Sequence, residues 1–324
     1  MMRLLQSNAW TAGLAGFLVL LLMATKLIQP DFGASGLDSL ARSALPFALV
    51  TVGMAIVVIA GGIDLSVAAM MAVASVTAAV LMDGATDGQA VFAILAVLVL
   101  GLAMGALNGA LIVVTRVPDI VVTLAMLFVW QGVALLILNA PGGGAAAWLR
   151  ALVVGGVSLP GVPPGLTDWL LRGVLFLAIV VAAIWLPVRR SKLGLMLYAV
   201  GSDPQAAFRS GVPVGPVRIA AYALCGLFAA LGGLTVTMAT GIGEPIPGPY
   251  LLASVAAVVL GGVVLGGGRG TILGPILAVF VLRTVRLDLT LMSVDPNVAA
   301  IVEGLIMVAV VMFGAVLATR GRKA

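Results

Sequence analysis

The stretch Gly61-Gly62-Ile63-Asp64-Leu65-Ser66 decides the fold class of this chain. It places one carboxylate and a glycine pair between two uncharged runs, 43–63 and 65–82, each about as long as a membrane-spanning helix. A carboxylate at that depth requires a membrane–water boundary, an aqueous path or a buried partner. Protein or water must satisfy the backbone groups that a helix break sets free. The stretch therefore predicts a polytopic membrane protein with a path through it, and we expect Asp64 to cap the following helix.

The composition of the 324-residue chain also indicates a membrane protein. Hydrophobic residues make up 62% of it and charged residues only 9%, whereas a soluble domain carries about 25% charged residues. Histidine is absent and Cys225 is the only cysteine, so we expect no catalytic residue, no metal site and no disulfide framework within the chain. The net charge of +5 comes from basic residues at the ends of apolar runs. That placement indicates membrane orientation rather than binding of nucleic acid.

Charges and Pro/Gly clusters divide the chain into about ten candidate spans. They predict an all-α, polytopic integral membrane protein with a single transmembrane domain over residues 1–324. The first run is interpreted as an uncleaved helix because it is long and a lysine follows it. The candidate spans are 8–25, 43–61, 65–82, 90–115, 120–139, 172–188, 218–240, 250–267, 271–287 and 298–318.

Basic residues in the loops predict the orientation of these spans. The strongest clusters, 189–192 and 320–323, are separated by four spans, so both can lie on the cytoplasmic side. Counting back six spans places the N-terminus there too, and the loop 241–249 then lies outside. Four basic residues depart from this rule on the outer side, namely Lys26, Arg42, Arg150 and Arg172.

The longest polar region on the predicted inner side is the loop 189–217. Asp203 can cap a helix whose first residue is Pro204, where a missing N–H costs nothing. Gly211 can end that helix. The predicted helix has about two turns, which is too short to be stable alone in water. We therefore expect it to dock on a partner surface.

The motif Gln205-Ala206-Ala207-x-x-x-Gly211 is similar to the Glu-Ala-Ala-x-x-x-Gly loop of permease subunits of ATP-binding-cassette (ABC) importers, with Gln in place of Glu. Other motifs resemble the ribose-type branch, and together the ordered motifs cover about residues 40–315. Two positions depart from the usual pattern, Asp119 and Glu303. The other motifs are Gly61–Ser66, Gly105-Ala-Leu-Asn108-Gly109, Val122-Thr123-Leu124, Gly194…Gly201, Tyr222…Gly226 and Val258…Gly270.

The resemblance places the chain with monosaccharide permeases of the branched-chain amino acid/sugar permease superfamily. It implies a type II ABC-importer-like fold in the bacterial inner membrane, with both termini cytoplasmic. It also implies three partners besides lipid: a cytoplasmic ATPase, a periplasmic sugar-binding protein, and a second permease copy or paralogue. The ATPase would bind ATP and Mg, and this chain would hold no cofactor.

The resemblance and the helix breaks together select two groups of candidate residues. The loop 189–217 would act as the cytoplasmic coupling loop. The ATPase-coupling candidates are Gln205, Ala206, Ala207, Phe208, Arg209 and Gly211. The candidates for the translocation path or its gate are Gly61, Gly62, Asp64, Ser66, Asn108, Thr123, Gly261 and Gly262.

Several features have simpler interpretations. The run Gly261–Gly270 lacks the Gly-Lys-Ser/Thr ending of a phosphate-binding loop, which favours close backbone packing. Asn108, Thr123, Gln131 and Asn139 suit either sugar hydroxyls or hydrogen bonds between helices. The alternatives are an ABC permease for a nucleoside, a furanosyl signal or a branched-chain amino acid, and a stand-alone secondary transporter. We expect no buried mid-helix carboxylate, which disfavours a proton-coupled carrier.

Overall fold

The computed structural model describes residues 2–157, 167–246 and 248–320, and these residues form helices and connecting loops without a β-strand. The predicted all-α class is confirmed. In chain order the helices are α1 Met2–Ile28, α2 Ala34–Ile59, α3 Val67–Met82, α4 Asp87–Thr115, α5 Asp119–Ile137, α6 Ala147–Val153, α7 Arg172–Arg190, α8 Lys192–Ser202, α9 Pro204–Arg209, α10 Val214–Thr240, α11 Tyr250–Leu260, α12 Leu273–Leu291 and α13 Pro296–Arg320.

Six of the helices in the described ranges are long and apolar enough to cross a membrane: α1, α2, α4, α5, α7 and α10. Helices α3 and α11 and the segment Pro296–Ile306 of α13 are apolar but shorter. Each of the ten predicted spans falls on a helix, which confirms a polytopic membrane protein. The short helix α6 lies in the long connection between α5 and α7, and residues 158–166 of that connection lie outside the described residues.

Two predicted span boundaries are wrong. The span 250–267 ends as a helix at Leu260, because Gly262 has a φ of 83° that a continuing helix does not allow. Residues 261–272 form a loop instead. Helix α2 begins at Ala34, nine positions before the predicted span, and its polar first turns extend beyond the apolar run.

The core is built around α2, α3 and α10. The most apolar 18-residue window of α2 is 89% buried, whereas that of α1 is 11% buried, so α2 is an inner helix and α1 a peripheral one. Glycines bring α4 against α10: a Cβ on Gly105 would overlap the Tyr222 carbonyl oxygen, and a Cβ on Gly226 would overlap that of Gly101. Small residues of this kind let membrane helices approach closely.

The prediction that no carboxylate is buried within a helix is wrong. Asp38, Asp288 and Glu303 are each at most 9% exposed. All three have partners: Asp38 pairs with Arg42 at 3.0 Å, and Glu303 pairs with Arg286 at 3.2 Å. The Thr25 hydroxyl donates to Asp288 at 2.6 Å. Partners of this kind explain how the helices of a membrane-protein bundle tolerate these buried carboxylates.

Three non-helical breaks interrupt the bundle and position the candidate site. The first joins α2 to α3 over residues 60–66, the second joins α10 to α11, and the third is the loop 261–272 between α11 and α12. A Cβ on Gly261 would overlap Pro275, and one on Gly274 would overlap the Gly261 carbonyl oxygen. The third break is therefore a close helix–loop–helix contact, in agreement with the packing interpretation of this glycine run.

Candidate functional site at a junction of helix breaks

A buried polar network surrounds Asp64 in the first break. The Asp64 side chain is 0% exposed, and its Oδ1 accepts hydrogen bonds from the backbone N–H of Ser66 at 2.9 Å and from the Ser66 hydroxyl at 2.6 Å. Asn108 on α4 donates to the Ser66 hydroxyl oxygen at 2.7 Å and accepts from the Trp130 indole of α5 at 3.2 Å. Of the three environments considered for Asp64, the structure shows a buried partner.

Asp64 does not occupy the expected capping position. The N-cap of α3 is Ser66, whose side chain makes no capping bond. Asp64 instead stabilises the turn that precedes the helix, through its two bonds to Ser66. Local side-chain-to-backbone bonds of this type are typical of aspartate in turns.

Asp119, the first residue of α5, holds the same break from a second direction. Its Oδ2 accepts from the backbone N–H of Ile63 at 2.7 Å and from the Tyr222 hydroxyl of α10 at 3.2 Å. The Thr123 hydroxyl donates to the Asp119 carbonyl at 2.8 Å. A Cβ on Gly62 would lie 2.6 Å from the Tyr222 hydroxyl oxygen, so only glycine leaves room for this arrangement.

Four glycines bring the first and third breaks against the end of α8. We call Gly61, Gly201, Gly267 and Gly268 the glycine junction. The Gly268 N–H donates to the carbonyl of Ile59 at 2.8 Å. A Cβ on Gly201 would overlap that carbonyl, and a Cβ on Gly267 would lie 2.6 Å from the Gly201 oxygen. Backbone contacts this close leave no space for a side chain.

The glycine junction is directly connected to the loop 189–217. Gly201 lies in the last turn of α8, and only Asp203 separates α8 from α9. A second contact joins α8 to the third break, because the Tyr198 hydroxyl donates to the Gly270 carbonyl at 2.9 Å. Helix α8 is therefore in direct contact with both the end of α2 and the third break.

Helix α9 has the start and the end that the sequence predicts. The Asp203 carboxylate accepts from the N–H groups of Gln205 at 2.9 Å and Ala206 at 3.0 Å. After the helix, Gly211 has a φ of 82° and its N–H donates to the Phe208 carbonyl. The N–H of the next residue donates to the Ala207 carbonyl at 3.0 Å. These are the two bonds of a Schellman motif, which fixes the helix end.

The exposed face of α9 carries an aromatic side chain. Phe208 is 72% exposed, and Gln205, Ala206 and Arg209 are exposed beside it. Ala207 is 6% exposed and fixes the helix against the rest of the chain. An exposed aromatic residue and an arginine on one short rigid helix have the composition of a protein-binding anchor.

The structure brings together most of the residues proposed for the path, but not all. Gly61, Gly62, Asp64, Ser66, Asn108 and Thr123 gather around the first break. Gly261 packs in the α11–α12 turn and Gly262 packs on the Trp10 ring of α1, so both lie in other contacts. Sequence reasoning did not select Gly201, Gly267, Gly268, Asp119, Tyr222 or Trp130 as site residues, although Asp119 stood out as a departure from a motif.

Among the residues that the structure describes, no group of three His, Cys, Asp or Glu side chains is arranged to hold a metal ion. What the site offers is a set of buried neutral and acidic hydrogen-bonding groups, close backbone contacts and an exposed short helix. Together with the membrane-length apolar helices, these features are those of a polytopic membrane protein whose helices meet at non-helical breaks.

The chain belongs to the family described as the permease component of the branched-chain amino acid transport system, whose model matches residues 36–311. It is 31% identical to the ribose import permease protein RbsC of Escherichia coli (strain K12), with 94% of each chain covered. It is also 31% identical to the ribose import permease protein RbsC of Bacillus subtilis (strain 168), over 91% of this chain and 89% of the relative. The autoinducer 2 import system permease protein LsrD of Escherichia coli O9:H4 (strain HS) is 28% identical, over 94% of this chain and 91% of the relative. No solved structure matches the chain.

Proposed function

We propose that this chain is the membrane-spanning subunit of an ATP-driven importer that moves a monosaccharide across the bacterial inner membrane. The observation that carries the proposal is the connection from the exposed helix α9, through Gly201, to the breaks at the ends of α2 and α11. The relatives are permeases of ribose import and autoinducer 2 import, which supports a small hydroxylated solute.

In the proposed mechanism a separate ABC ATPase binds the exposed face of α9, with Phe208 as its apolar anchor. The ATPase binds ATP and Mg, and its closure moves α9 together with α8. Gly201 is in backbone contact with Ile59 and Gly268, so no flexible side chain lies between α8 and these two segments. The movement of α8 therefore displaces the first and third breaks directly. The chain itself carries out no bond chemistry, and it converts the motion of its partner into alternating access.

The remaining partners follow from the same proposal. A periplasmic sugar-binding protein delivers solute to the outer face, and a second permease copy or a paralogue completes the path. The loop 189–217 and both termini lie in the cytoplasm, as the basic clusters at 189–192 and 320–323 favour.

Two other functions are distinguishable by experiment. The family description names branched-chain amino acid transport, so a branched-chain amino acid is the alternative solute to test within the same transporter class. A secondary transporter would need no ATPase. Reconstitution in proteoliposomes, with and without a cognate ABC ATPase and sugar-binding protein, separates them. The proposal predicts uptake of ribose or another monosaccharide only with both partners and ATP, and uptake by the chain alone under an ion gradient would contradict it.

A substitution at Gly211 tests the role of α9 in that assay. Gly211 has a φ of 82° and no atom within 4 Å of a Cβ placed there, so Gly211→Val strains the Schellman turn without a clash. We expect uptake to be abolished while the protein stays in the membrane. Gly84→Val is the matched control, since Gly84 also has a positive φ, 64°, and no atom within 4 Å, but lies in the loop between α3 and α4. Unchanged uptake in Gly211→Val would contradict the assignment of α9.

A further inference from the structure

A second polar region lies away from the Asp64 network, where the loop after α10 folds back onto α3. Within this loop, a Cβ on Gly243 would lie 2.9 Å from the Val76 Cα, so the backbone of the loop touches the backbone of α3. Gly243 also pairs with Gly142 through two backbone hydrogen bonds, of 2.8 and 3.2 Å. Residues 241–246 therefore pack against the bundle as an ordered re-entrant segment.

Side chains from three helices fix this segment in place. The Ser75 hydroxyl of α3 accepts from the Glu244 N–H at 3.1 Å and lies 3.0 Å from the Thr237 hydroxyl of α10. Gln131 of α5 donates to the Pro245 carbonyl at 2.8 Å. The bond from Gln131 gives a structural role to a residue that stood out in the sequence as polar within an apolar run. Together these bonds hold the backbone of Glu244 at one position against α3.

The fixed segment forms one wall of a partly open cavity of about 100 Å³. A single water needs only about 10–15 Å³ on the same measure, so the cavity has room for a group of several non-hydrogen atoms. Met71 and Ser75 of α3, both buried, line it together with Glu244 and Tyr250. The cavity thus combines an apolar side chain, a hydroxyl, a carboxylate and an aromatic ring.

The Glu244 carboxylate is available to a ligand. Glu244 is partly buried, and across the described residues its side chain makes no hydrogen bond or ion pair. A carboxylate is an acceptor with about four lone-pair sites, so it can bind two neighbouring hydroxyl groups at once. The bonds from Ser75 and Gln131 fix the backbone around Glu244, so less backbone freedom is lost when a ligand binds.

The surrounding charge favours a neutral ligand over a cation. The Arg283 guanidinium lies 5.9 Å from the centre of the Tyr250 ring and 5.0 Å from that of Phe47. Its positive charge lies beside the ring that lines the cavity, so it would repel a cationic ligand there. A ligand with hydroxyl groups satisfies the carboxylate without adding an unbalanced charge to a partly buried site.

We propose that the cavity between Ser75, Glu244 and Tyr250 is a binding site for a neutral polyhydroxylated solute of monosaccharide size, with Glu244 accepting two of its hydroxyl groups. This inference rests on the proposed function and specifies where the solute is held. The cavity is separate from the Asp64 network, so the two sites are testable independently.

Uptake by the complete transporter tests the site. Proteoliposomes that contain the permease, its ATPase and its binding protein receive radiolabelled ribose, glucose or leucine in separate reactions. We expect Glu244→Ala to lower uptake of the transported sugar on the order of tenfold, since a charge-assisted pair of hydrogen bonds is lost. Glu244→Gln keeps one acceptor oxygen and should retain intermediate uptake.

The control variant is Asp87→Asn, which removes an exposed carboxylate from the start of α4, outside the cavity. It should transport as the unmodified protein does. Equal uptake by Glu244→Ala and the unmodified transporter would overturn the proposed site while leaving the proposed function intact. Transport of leucine and of neither sugar would overturn the polyhydroxylated ligand. If no ATP-dependent uptake occurs in the unmodified complex, the proposed function fails, and the ligand assignment fails with it.

Discussion

The carboxylate of Asp119 accepts the backbone N–H of Ile63 at 2.7 Å, across 56 positions of sequence. Ile63 lies in the break between α2 and α3, where no helical carbonyl is available to its N–H. The start of α5 therefore supplies an acceptor that the break itself lacks. Since the same oxygen also accepts from Tyr222, one carboxylate joins α5, α10 and the break.

Loss of this carboxylate should destabilise the break. Asp119→Ala leaves the Ile63 N–H without its acceptor, and an unsatisfied buried donor costs about 1–3 kcal/mol. We expect a lower midpoint of thermal unfolding in detergent and reduced uptake by the complete transporter. Asp119→Asn keeps an acceptor oxygen and should cost less. Asp31→Ala, at an exposed carboxylate between α1 and α2, is the control; an equal midpoint in all three variants would show that the bond is dispensable.

A single methyl group at Gly201 should disrupt the glycine junction. In Gly201→Ala the new Cβ would overlap the Ile59 carbonyl and lie 2.6 Å from the Gly268 nitrogen, so backbone has to move. Overpacking of this kind costs about 1–3 kcal/mol. We expect uptake to fall more than binding of the ATPase, because α9 remains intact while its connection to the breaks changes. Size-exclusion chromatography of the complex and an uptake assay measure the two effects separately.

The control for this experiment is Gly132→Ala, in α5, where no atom lies within 4 Å of an added Cβ. Alanine is the better helix former by about 1 kcal/mol, so this variant should be at least as stable as the unmodified protein. Uptake by Gly201→Ala that equals uptake by Gly132→Ala would rule out a role for the junction in transport.

Truncation of Phe208 should weaken the ATPase complex without affecting the fold. The side chain is 72% exposed, so Phe208→Ala removes little packing within the chain. Aromatic anchors at the centre of an interface are worth about 2 kcal/mol or more, which corresponds to about 30-fold in the dissociation constant. Leu195→Ala is the matched control, since Leu195 on α8 is 75% exposed and lies outside α9. Equal affinities of the two variants in a pull-down titration would place the docking surface elsewhere.

The local stability of the second break, the loop between α10 and α11, should depend on Gln131. Gln131→Ala removes the donor to the Pro245 carbonyl, while the contacts of Ser75 with the same segment remain. We expect faster backbone hydrogen exchange in residues 241–246, because local opening costs less when one of the fixing bonds is lost. Exchange in α9 serves as the internal reference and should not change. Identical exchange in residues 241–246 would show that α3 and α10 alone fix the segment.

Helix α9 was predictable from sequence because its determinants are local. The cap of Asp203, the proline that follows it and the glycine at 211 act within nine positions, and each has one dominant structural role. The length and composition of the apolar runs predicted the all-α class for the same reason. The break at Gly61–Ser66 was recognisable from its charge and its glycine pair.

The contacts of the breaks were not predictable in this way. The glycine junction joins residues near positions 60, 201 and 268, and no local pattern indicates which of the 41 glycines meet. Gly262 and Gly267 both have positive φ, yet only Gly267 lies at the junction. Buried carboxylates such as Asp288 were likewise misjudged, because their tolerance depends on partners supplied by distant helices.

The glycine junction also limits how this protein can evolve. At Gly201, Gly267 and Gly268 a Cβ would lie 2.6 Å or less from an atom of a neighbouring segment, and the crowding atoms there are mainly backbone. A larger residue at one position thus has no compensating reduction available at the others. We expect related chains either to keep all four glycines or to lose the close approach of these backbone segments. The four positions should therefore change together.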